Sequence, residues 1–259
     1  AAAIAAGMDA DRLDALVMFL DHHYIQSGKL PHMQFFLSRD EVPLLSVTRG
    51  AARVDGTPLH PDALYRIASM TKPVTSVAFM MLVEQGLVAL DTPVTHVIPE
   101  FADLRVGSAG ESRPARSMRM IDLLRHTSGL TYGLQRQTAI DARYREMGLD
   151  EFQQKRSSDQ FIADLATLPL EFSPGDRWNY SVSTDVLGVV VERLTGTDLQ
   201  SHFERAIFTP LGMEDTGFVL PDSKTARMTD AWRLEESGVR VPADLGARSG
   251  WRRAGCFFS

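Results

Sequence analysis

The chain has 259 residues, 44% hydrophobic and 23% charged, a balance typical of a soluble globular protein large enough for one sizeable core. Its formal net charge is −6 and its Lys and Arg are dispersed, so nucleic acid is not expected as a partner. The single cysteine, Cys256, excludes an intrachain disulfide and a Cys-rich metal site, and no apolar stretch is long enough to cross a membrane.

Residues 1–7 are apolar but lack the basic residues that begin a signal peptide, and Met8 could serve as the native start. The expected location is therefore the cytoplasm. A signal peptide removed before residue 1 would instead make the protein periplasmic or secreted.

The N-terminal part of the chain predicts a helix followed by a β-hairpin. Apolar residues recur at a spacing of three and four across 9–23, which indicates an amphipathic helix. Two β-rich runs, 33–37 and 42–47, are separated by four polar residues and therefore predict a hairpin. A helix before a hairpin favours an α+β fold in which an antiparallel sheet packs on helices.

The next helix is predicted from Ser69 to Gly86, and because it is apolar nearly all round we expect it to be buried. Ser69 and Lys72 are three residues apart and therefore share one face of its first turn. An amine beside a hydroxyl can act as its base where burial disfavours the charged form. By itself such a pair is more often a helix cap and a surface lysine.

The middle of the chain predicts a mostly helical part. Residues 103–119 are rich in Gly, Ser, Arg and Pro and predict an exposed loop, 120–125 predict a short helix, and 131–160 predict surface-facing helix. Further helices are predicted at 161–168, 183–196 and 199–208, after which the chain becomes polar. Between them, Pro174-Gly175 predicts a turn that presents Trp178, Asn179 and Tyr180.

Five segments, in the same order along the chain, resemble the serine β-lactamase and penicillin-binding superfamily. They are Ser69-Met70-Thr71-Lys72, the run from Leu82 to Asp91, the run from Leu123 to Leu130, Pro174-Gly175 leading to Tyr180-Ser181, and Pro210-Leu211-Gly212-Met213. The resemblance covers roughly residues 10–220 and is closest to the class C-like family VIII carboxylesterases. It implies a β-lactamase/transpeptidase-like fold: one domain over 1–259, with sheet-side segments at 9–68 and a helical part at about 69–220.

The resemblance also implies roles for individual residues. Ser69 would be the nucleophile of an acyl-enzyme, Lys72 would help deprotonate it, and Tyr180 would carry the proton to the leaving group. The backbone N–H of Ser69 would be one oxyanion-hole donor. The expected substrate is a small-molecule ester of small to medium acyl chain, and no cofactor or metal is expected. The oligomeric state is unknown.

Two departures from the family pattern bear on specificity and completeness. Val182 takes the substrate-binding position of an Asn that holds the lactam side chain in β-lactamases, which favours an esterase. The family's third motif, Lys-Thr-Gly or a His/Trp-x-Gly variant, is not found downstream, and Lys224-Thr225-Ala226 comes too early to replace it. Residues 255–259 resemble a stretch before a later helix, so the chain is expected to stop partway through the fold, without its C-terminal strands.

The sequence leaves more than one interpretation open for some residues and for the function. Trp178 is expected either to pack in the core or to line the acyl pocket. His126 is expected to be structural, because it lies at a helix end and no Gly-x-Ser-x-Gly elbow exists. The alternative functions are a β-lactamase or D,D-peptidase, and a truncated, inactive relative that acts as a binding or remnant module.

Overall fold

The computed structural model of the protein describes residues 6–107, 113–149 and 156–243. They form a strand-rich unit, residues 6–66 and 220–243, and a helical unit made of the residues between 67 and 219. The helices are α1 (Ala10–Leu20), α2 (Thr71–Glu84), α3 (Met120–Leu124), α4 (Ala139–Glu146), α5 (Ser158–Ala166), α6 (Ser183–Thr195) and α7 (Leu199–Phe203). The strands are β1 (His32–Arg39), β2 (Val42–Gly50), β3 (Arg105–Val106), β4 (Arg113–Pro114), β5 (Trp232–Leu234) and β6 (Arg240–Pro242).

Within the described residues, these strands pair as three two-stranded antiparallel sheets, β1–β2, β3–β4 and β5–β6. The α+β class is therefore confirmed. That the chain forms a single domain over 1–259 stays a prediction.

The strand-rich unit contains the predicted helix and hairpin. Asp9 caps α1, since its carboxylate accepts the backbone N–H of Arg12 at 3.1 Å. The helix then continues as a π-helical turn, Asp21–Gln26. β1 and β2 pair in one register until a bulge between Leu37 and Ser38. The sequence prediction of a helix followed by a hairpin is confirmed.

Hydrogen bonds join the two distant segments of the strand-rich unit. The backbone N–H of Leu64 donates to Arg227, and that of Thr229 donates back to Leu64, each at 2.9 Å. The Arg53 guanidinium donates to the carbonyls of Thr225 and Ala226. Lys224-Thr225-Ala226 thus lies in a 3₁₀ turn rather than a strand. The hairpin β5–β6, in the segment expected only to be polar, was not predicted.

In the helical unit, α2 and α6 pack against each other and lie at the centre of the core. Their buried apolar residues include Ala78, Phe79 and Leu82 on α2, and Val186, Leu187 and Val190 on α6. The expectation that α2 is buried holds for one face only. Val77 and Met80 on its other face are 51% and 41% exposed, because apolar composition does not specify which faces neighbouring elements cover.

Two further predictions for this unit need correction. The stretch 103–119 is not simply an exposed loop, since β3 and β4 pair within it and Val106 and Met118 are buried. The stretch 131–160 is not surface-facing throughout, because Tyr144 on α4 is almost fully buried. Residues 255–259, with Cys256, lie outside the described residues.

We expect His202 on α7 to make the stability of the folded protein sensitive to acid. Its ring is 6% exposed, and neither ring nitrogen has a hydrogen-bond partner in the described part of the chain. Burial, and then the charge of Arg205, lower the pKa of His202 below its usual value of 6.5. As the pH falls through 6.5 the unfolded chain binds a proton that the folded chain does not, so stability is lost.

We therefore expect His202→Leu to reduce the decrease in melting temperature between pH 7.5 and pH 5. Thermal unfolding followed by circular dichroism at both pH values measures the effect. An unchanged pH dependence in the variant would contradict it.

Candidate active site

Ser69 and Lys72 lie where α2 begins. A 3₁₀ turn, Ala68–Met70, leads directly into the helix, leaving Ser69 exposed and Lys72 half-buried. The Lys72 ammonium donates to Ser69 Oγ at 3.2 Å. The structure thus brings together the two side chains that the sequence placed on one face of this turn.

The residue before Ser69 has an unusual backbone conformation. Ala68 has a φ of +42°, in the left-handed region that non-glycine residues rarely adopt. Such a residue typically costs about 1–3 kcal/mol and persists only where its surroundings hold it. Strain of this kind concentrates at functional sites, and here it sets the direction in which Ser69 leaves the turn.

Tyr180 reaches Ser69 from a position 111 residues further along the chain. Its phenol donates to Ser69 Oγ at 2.5 Å. The Lys72 ammonium also lies 4.8 Å from the centre of the Tyr180 ring. Ser69 Oγ is therefore in contact with both of the groups that were expected to handle its proton.

A second tyrosine, Tyr132, completes the surroundings of Lys72, and sequence reasoning missed it. Its ring lies 5.3 Å from that of Tyr180, and the Lys72 ammonium is 5.6 Å from its centre. The phenol of Tyr132 donates to Asp185 on α6 at 3.3 Å, which fixes the ring. The ammonium thus faces two aromatic rings, an arrangement that stabilises a cation. The available signal was an aromatic residue two positions after the motif ending at Leu130.

His126 lies beside Tyr180, with their ring centres 4.9 Å apart. Its Nδ1 lies 3.3 Å from both the backbone nitrogen and the hydroxyl of Ser181. Burial, and then the positive charge of Lys72, lower the pKa of His126 to about 4. The imidazole is therefore neutral at physiological pH.

Backbone hydrogen bonds tie the segment 126–131 to the segment 171–182 that carries Tyr180. The donors are the backbone N–H groups of Glu171, Gly175, Asn179 and Val182. They donate to the carbonyls of Gly129, Thr127, His126 and Thr131, respectively. Gly129 is required in this pairing because its φ is +84° and a Cβ there would lie 2.2 Å from the carbonyl oxygen of Phe172. The motif around His126 thus serves as a support for the Tyr180 loop.

The two residues expected to bind substrate lie in different surroundings. Trp178 is 66% exposed, and its ring centre lies 6.5 Å from that of Tyr180 at an angle of 25°. Of its two interpretations, packing in the core is excluded. Val182 is 1% exposed and belongs to the hydrophobic core, because it directly precedes α6 and packs inward with that helix. The structure therefore does not bring Val182 to the surface beside Ser69.

A cavity of about 370 Å³ lies elsewhere in the helical unit and does not include Ser69, Lys72 or Tyr180. It is lined by residues of α5, α6, α7 and the segment after α7, among them Phe161, Asp185, Glu192, Leu199 and Phe218. The contacts of Ser69 with Lys72 and Tyr180, rather than the size of a cavity, therefore define the candidate site. In the described part of the chain, no group of three or more His, Cys, Asp and Glu could hold a metal, and no helix could span a membrane.

Comparison with known proteins gives one family. The family model described as beta-lactamase matches residues 2–255. Esterase EstB of Burkholderia gladioli is 42% identical over 171 residues, covering 65% of this chain and 42% of the esterase. Monacolin J acid methylbutanoyltransferase of Aspergillus terreus is 32% identical over 192 residues, covering 70% of this chain and 45% of the transferase.

Among solved structures, EstCE1, described as a hydrolase with promiscuous acyltransferase activity, superimposes with a TM-score of 0.80 at 24% identity. The match covers 99% of this chain and 70% of EstCE1. This likeness establishes the fold. The chain spans less than half the length of the two curated relatives above.

We expect Gly129→Ala to destabilise the protein much more than Gly196→Ala. Both glycines have positive φ, but a Cβ at Gly196 would meet nothing within 4 Å. Gly196→Ala should therefore cost only the backbone term of about 1–2 kcal/mol. Gly129→Ala should add the clash with Phe172 and cost about 3 kcal/mol or more.

Thermal unfolding of the two variants beside the wild type measures the difference. Equal decreases in melting temperature would contradict the close approach of Gly129 to Phe172.

Proposed function

Since the family model matches nearly the whole chain, the protein belongs to the beta-lactamase family, and we propose that it is a serine hydrolase that cleaves esters through an acyl-enzyme on Ser69. The observation that carries the proposal is that Ser69 Oγ contacts both Tyr180 and Lys72. A serine hydroxyl is a weak nucleophile unless an adjacent group takes its proton. The expected acyl groups are small to medium in size.

In this proposal the reacting form has Tyr180 as the phenolate beside the Lys72 ammonium, and Ser69 Oγ attacks the ester carbonyl while its proton moves to that phenolate oxygen. That oxygen is 2.5 Å away, within the range in which a positioned side chain transfers a proton. Tyr180 then gives the proton to the departing alcohol as the acyl–oxygen bond breaks. A water molecule attacks the acyl-enzyme and loses a proton to the Tyr180 phenolate. The acid then leaves as Tyr180 returns that proton to Ser69 Oγ, which restores the hydroxyl of Ser69 and the phenolate of Tyr180.

Lys72 has an electrostatic role in the same proposal. Its ammonium contacts Ser69 Oγ and faces the rings of Tyr132 and Tyr180, so a positive charge lies beside the oxygens that exchange the proton. Fixed charge near the reacting atoms stabilises negative charge as it develops in the transition state. The backbone N–H of Ser69 is the proposed donor to the oxygen of the attacked carbonyl.

An ester rather than a β-lactam is proposed as the substrate. Val182 occupies the position of the family's lactam-binding Asn, and it lies in the core, where it presents no amide to a ligand. The relative from Burkholderia gladioli is named an esterase, which supports the same choice.

Acyl transfer to an alcohol is a second candidate, because the relative from Aspergillus terreus is named a methylbutanoyltransferase. An acyl-enzyme reacts with an alcohol by the same steps as with water, and the product is then a new ester. Adding a primary alcohol to the assay and measuring the ratio of ester to acid distinguishes the two. A product that is acid alone would favour hydrolysis.

The assay that tests the proposal is hydrolysis of 4-nitrophenyl esters of short acyl chains. We expect Ser69→Ala to lower kcat/KM by at least about 10³-fold, because the covalent intermediate can no longer form. We expect Tyr180→Phe to lower kcat by about 10²–10⁴-fold, the usual size of a general acid–base contribution.

Tyr24→Phe is the matched control, because Tyr24 lies in the π-helical turn after α1 and should leave both constants unchanged. Equal rates for Ser69→Ala and the wild type would overturn the assignment of Ser69.

A further inference from the structure

We infer that His126 is a positioning residue that holds the phenol of Tyr180 against Ser69. The inference rests on the proposed role of Tyr180 in proton transfer. It adds to the candidate site a residue whose side-chain hydrogen bonds, in the described part of the chain, go to Ser181 rather than to Ser69.

The main support is that His126 binds the residues on both sides of Tyr180. The backbone N–H of Asn179 donates to the carbonyl of His126 at 2.9 Å. The backbone N–H of Ser181 donates to His126 Nδ1 at 3.3 Å. His126 therefore binds the N–H groups of the residues before and after Tyr180, and its ring packs beside the Tyr180 ring with centres 4.9 Å apart.

Other hydrogen bonds complete the support of the same loop. Gln135 donates through Nε2 to the carbonyl of Tyr180 at 2.5 Å and to Asn179 Oδ1 at 3.0 Å. The hydroxyl of Ser181 bonds to that of Ser183, which bonds to that of Ser128, each at 2.7 Å. The peptide unit between Tyr180 and Ser181 is therefore held at both ends, because Gln135 binds its carbonyl and His126 Nδ1 accepts its N–H.

The role requires a neutral imidazole. Nδ1 must carry a lone pair to accept the Ser181 N–H, so the ring proton lies on Nε2. Burial and the Lys72 charge keep the pKa of His126 near 4, so the accepting form persists at neutral and mildly acidic pH.

The hydrogen bonds also separate this role from that of a catalytic base. In the described part of the chain, the side-chain hydrogen bonds of His126 go to Ser181, and none goes to Ser69 or Lys72. A group that acts through Tyr180 should change how well the phenol is placed, and therefore kcat, more than it changes the binding of substrate.

Two substitutions distinguish the effect of the hydrogen-bond acceptor of His126 from the effect of its aromatic ring. His126 has a φ of +57°, a conformation that Asn tolerates, and the Oδ1 of Asn can accept the Ser181 N–H. Phe keeps an aromatic ring beside Tyr180 but has no acceptor. We expect His126→Asn to keep kcat within about 3-fold of the wild type, and His126→Phe to lower kcat by about 10–100-fold with KM nearly unchanged.

The experiment measures kcat and KM with a 4-nitrophenyl ester for both variants, alone and combined with Tyr180→Phe. His126→Ala, which lacks both ring and acceptor, replaces His126→Phe if that variant does not fold. In the Tyr180→Phe background the loss caused by His126→Phe should disappear, because no phenol remains to be placed. His202→Leu, at a buried His elsewhere in the helical unit, should leave kcat unchanged.

Three outcomes would overturn the inference: full kcat in His126→Phe, equal losses in the Asn and Phe variants, or a loss from His126→Phe that persists in the Tyr180→Phe background. Ser69→Ala in the same assay separates a failure of this inference from a failure of the proposed function. If Ser69→Ala retains the wild-type rate, the function is wrong. If only the His126 outcomes fail, Tyr180 keeps its role without this support.

Discussion

The contact on which the candidate site depends is the one between Tyr180 and Ser69. It joins two short segments that are 111 residues apart, and a displacement of about 1 Å would separate the oxygens beyond the reach of proton transfer. Ser69 and Tyr180 are positioned by different parts of the structure. The strained turn at Ala68 sets the direction of Ser69, while the paired segments 126–131 and 171–182 set that of Tyr180.

Several residues of the helical unit therefore position Ser69, Lys72 and Tyr180 without taking part in the proposed chemistry. Gly129 allows the backbones to approach, and Gln135, Asn179 and the serine hydroxyls satisfy the polar groups of the loop. Tyr132 adds a second aromatic ring beside the Lys72 ammonium. The apolar contact between α2 and α6 beneath them gives a rigid base, because α2 begins at the Ser69 turn and α6 begins two residues after Ser181.

The sequence predicted the parts of this arrangement that depend on local spacing. The pairing of Ser69 with Lys72 follows from helical geometry, and the hairpin β1–β2 follows from two β-rich runs with polar residues between them. The exposed side of α2 could not be predicted in the same way, because a helix with apolar residues on nearly every face does not indicate which side its neighbours cover. The burial of Tyr144 was not predicted for a related reason. Most of its neighbours in the sequence are polar, so the composition of α4 does not indicate that one face is buried.

A structural role was predicted for His126, but its contact with Ser181 and that of Tyr132 with Asp185 were not, because they join segments about 50 residues apart, which a single sequence does not reveal. Val182 is a different case, because a role was expected for it that its position in the structure does not support. A family position suggested a substrate contact, but the side chain packs inward at the start of α6. Alignment of a motif fixes where a residue lies in the chain, whereas the direction of its side chain depends on the local packing.

The central claim is that Ser69 carries a covalent acyl group during turnover. The most direct test is to quench the protein in acid while it hydrolyses 4-nitrophenyl butyrate, digest it, and map the masses of its peptides. The account predicts a butyryl adduct on Ser69 in the wild type and none in Ser69→Ala. A wild-type protein that turns over the ester without this adduct, or with the adduct on another residue, would contradict it.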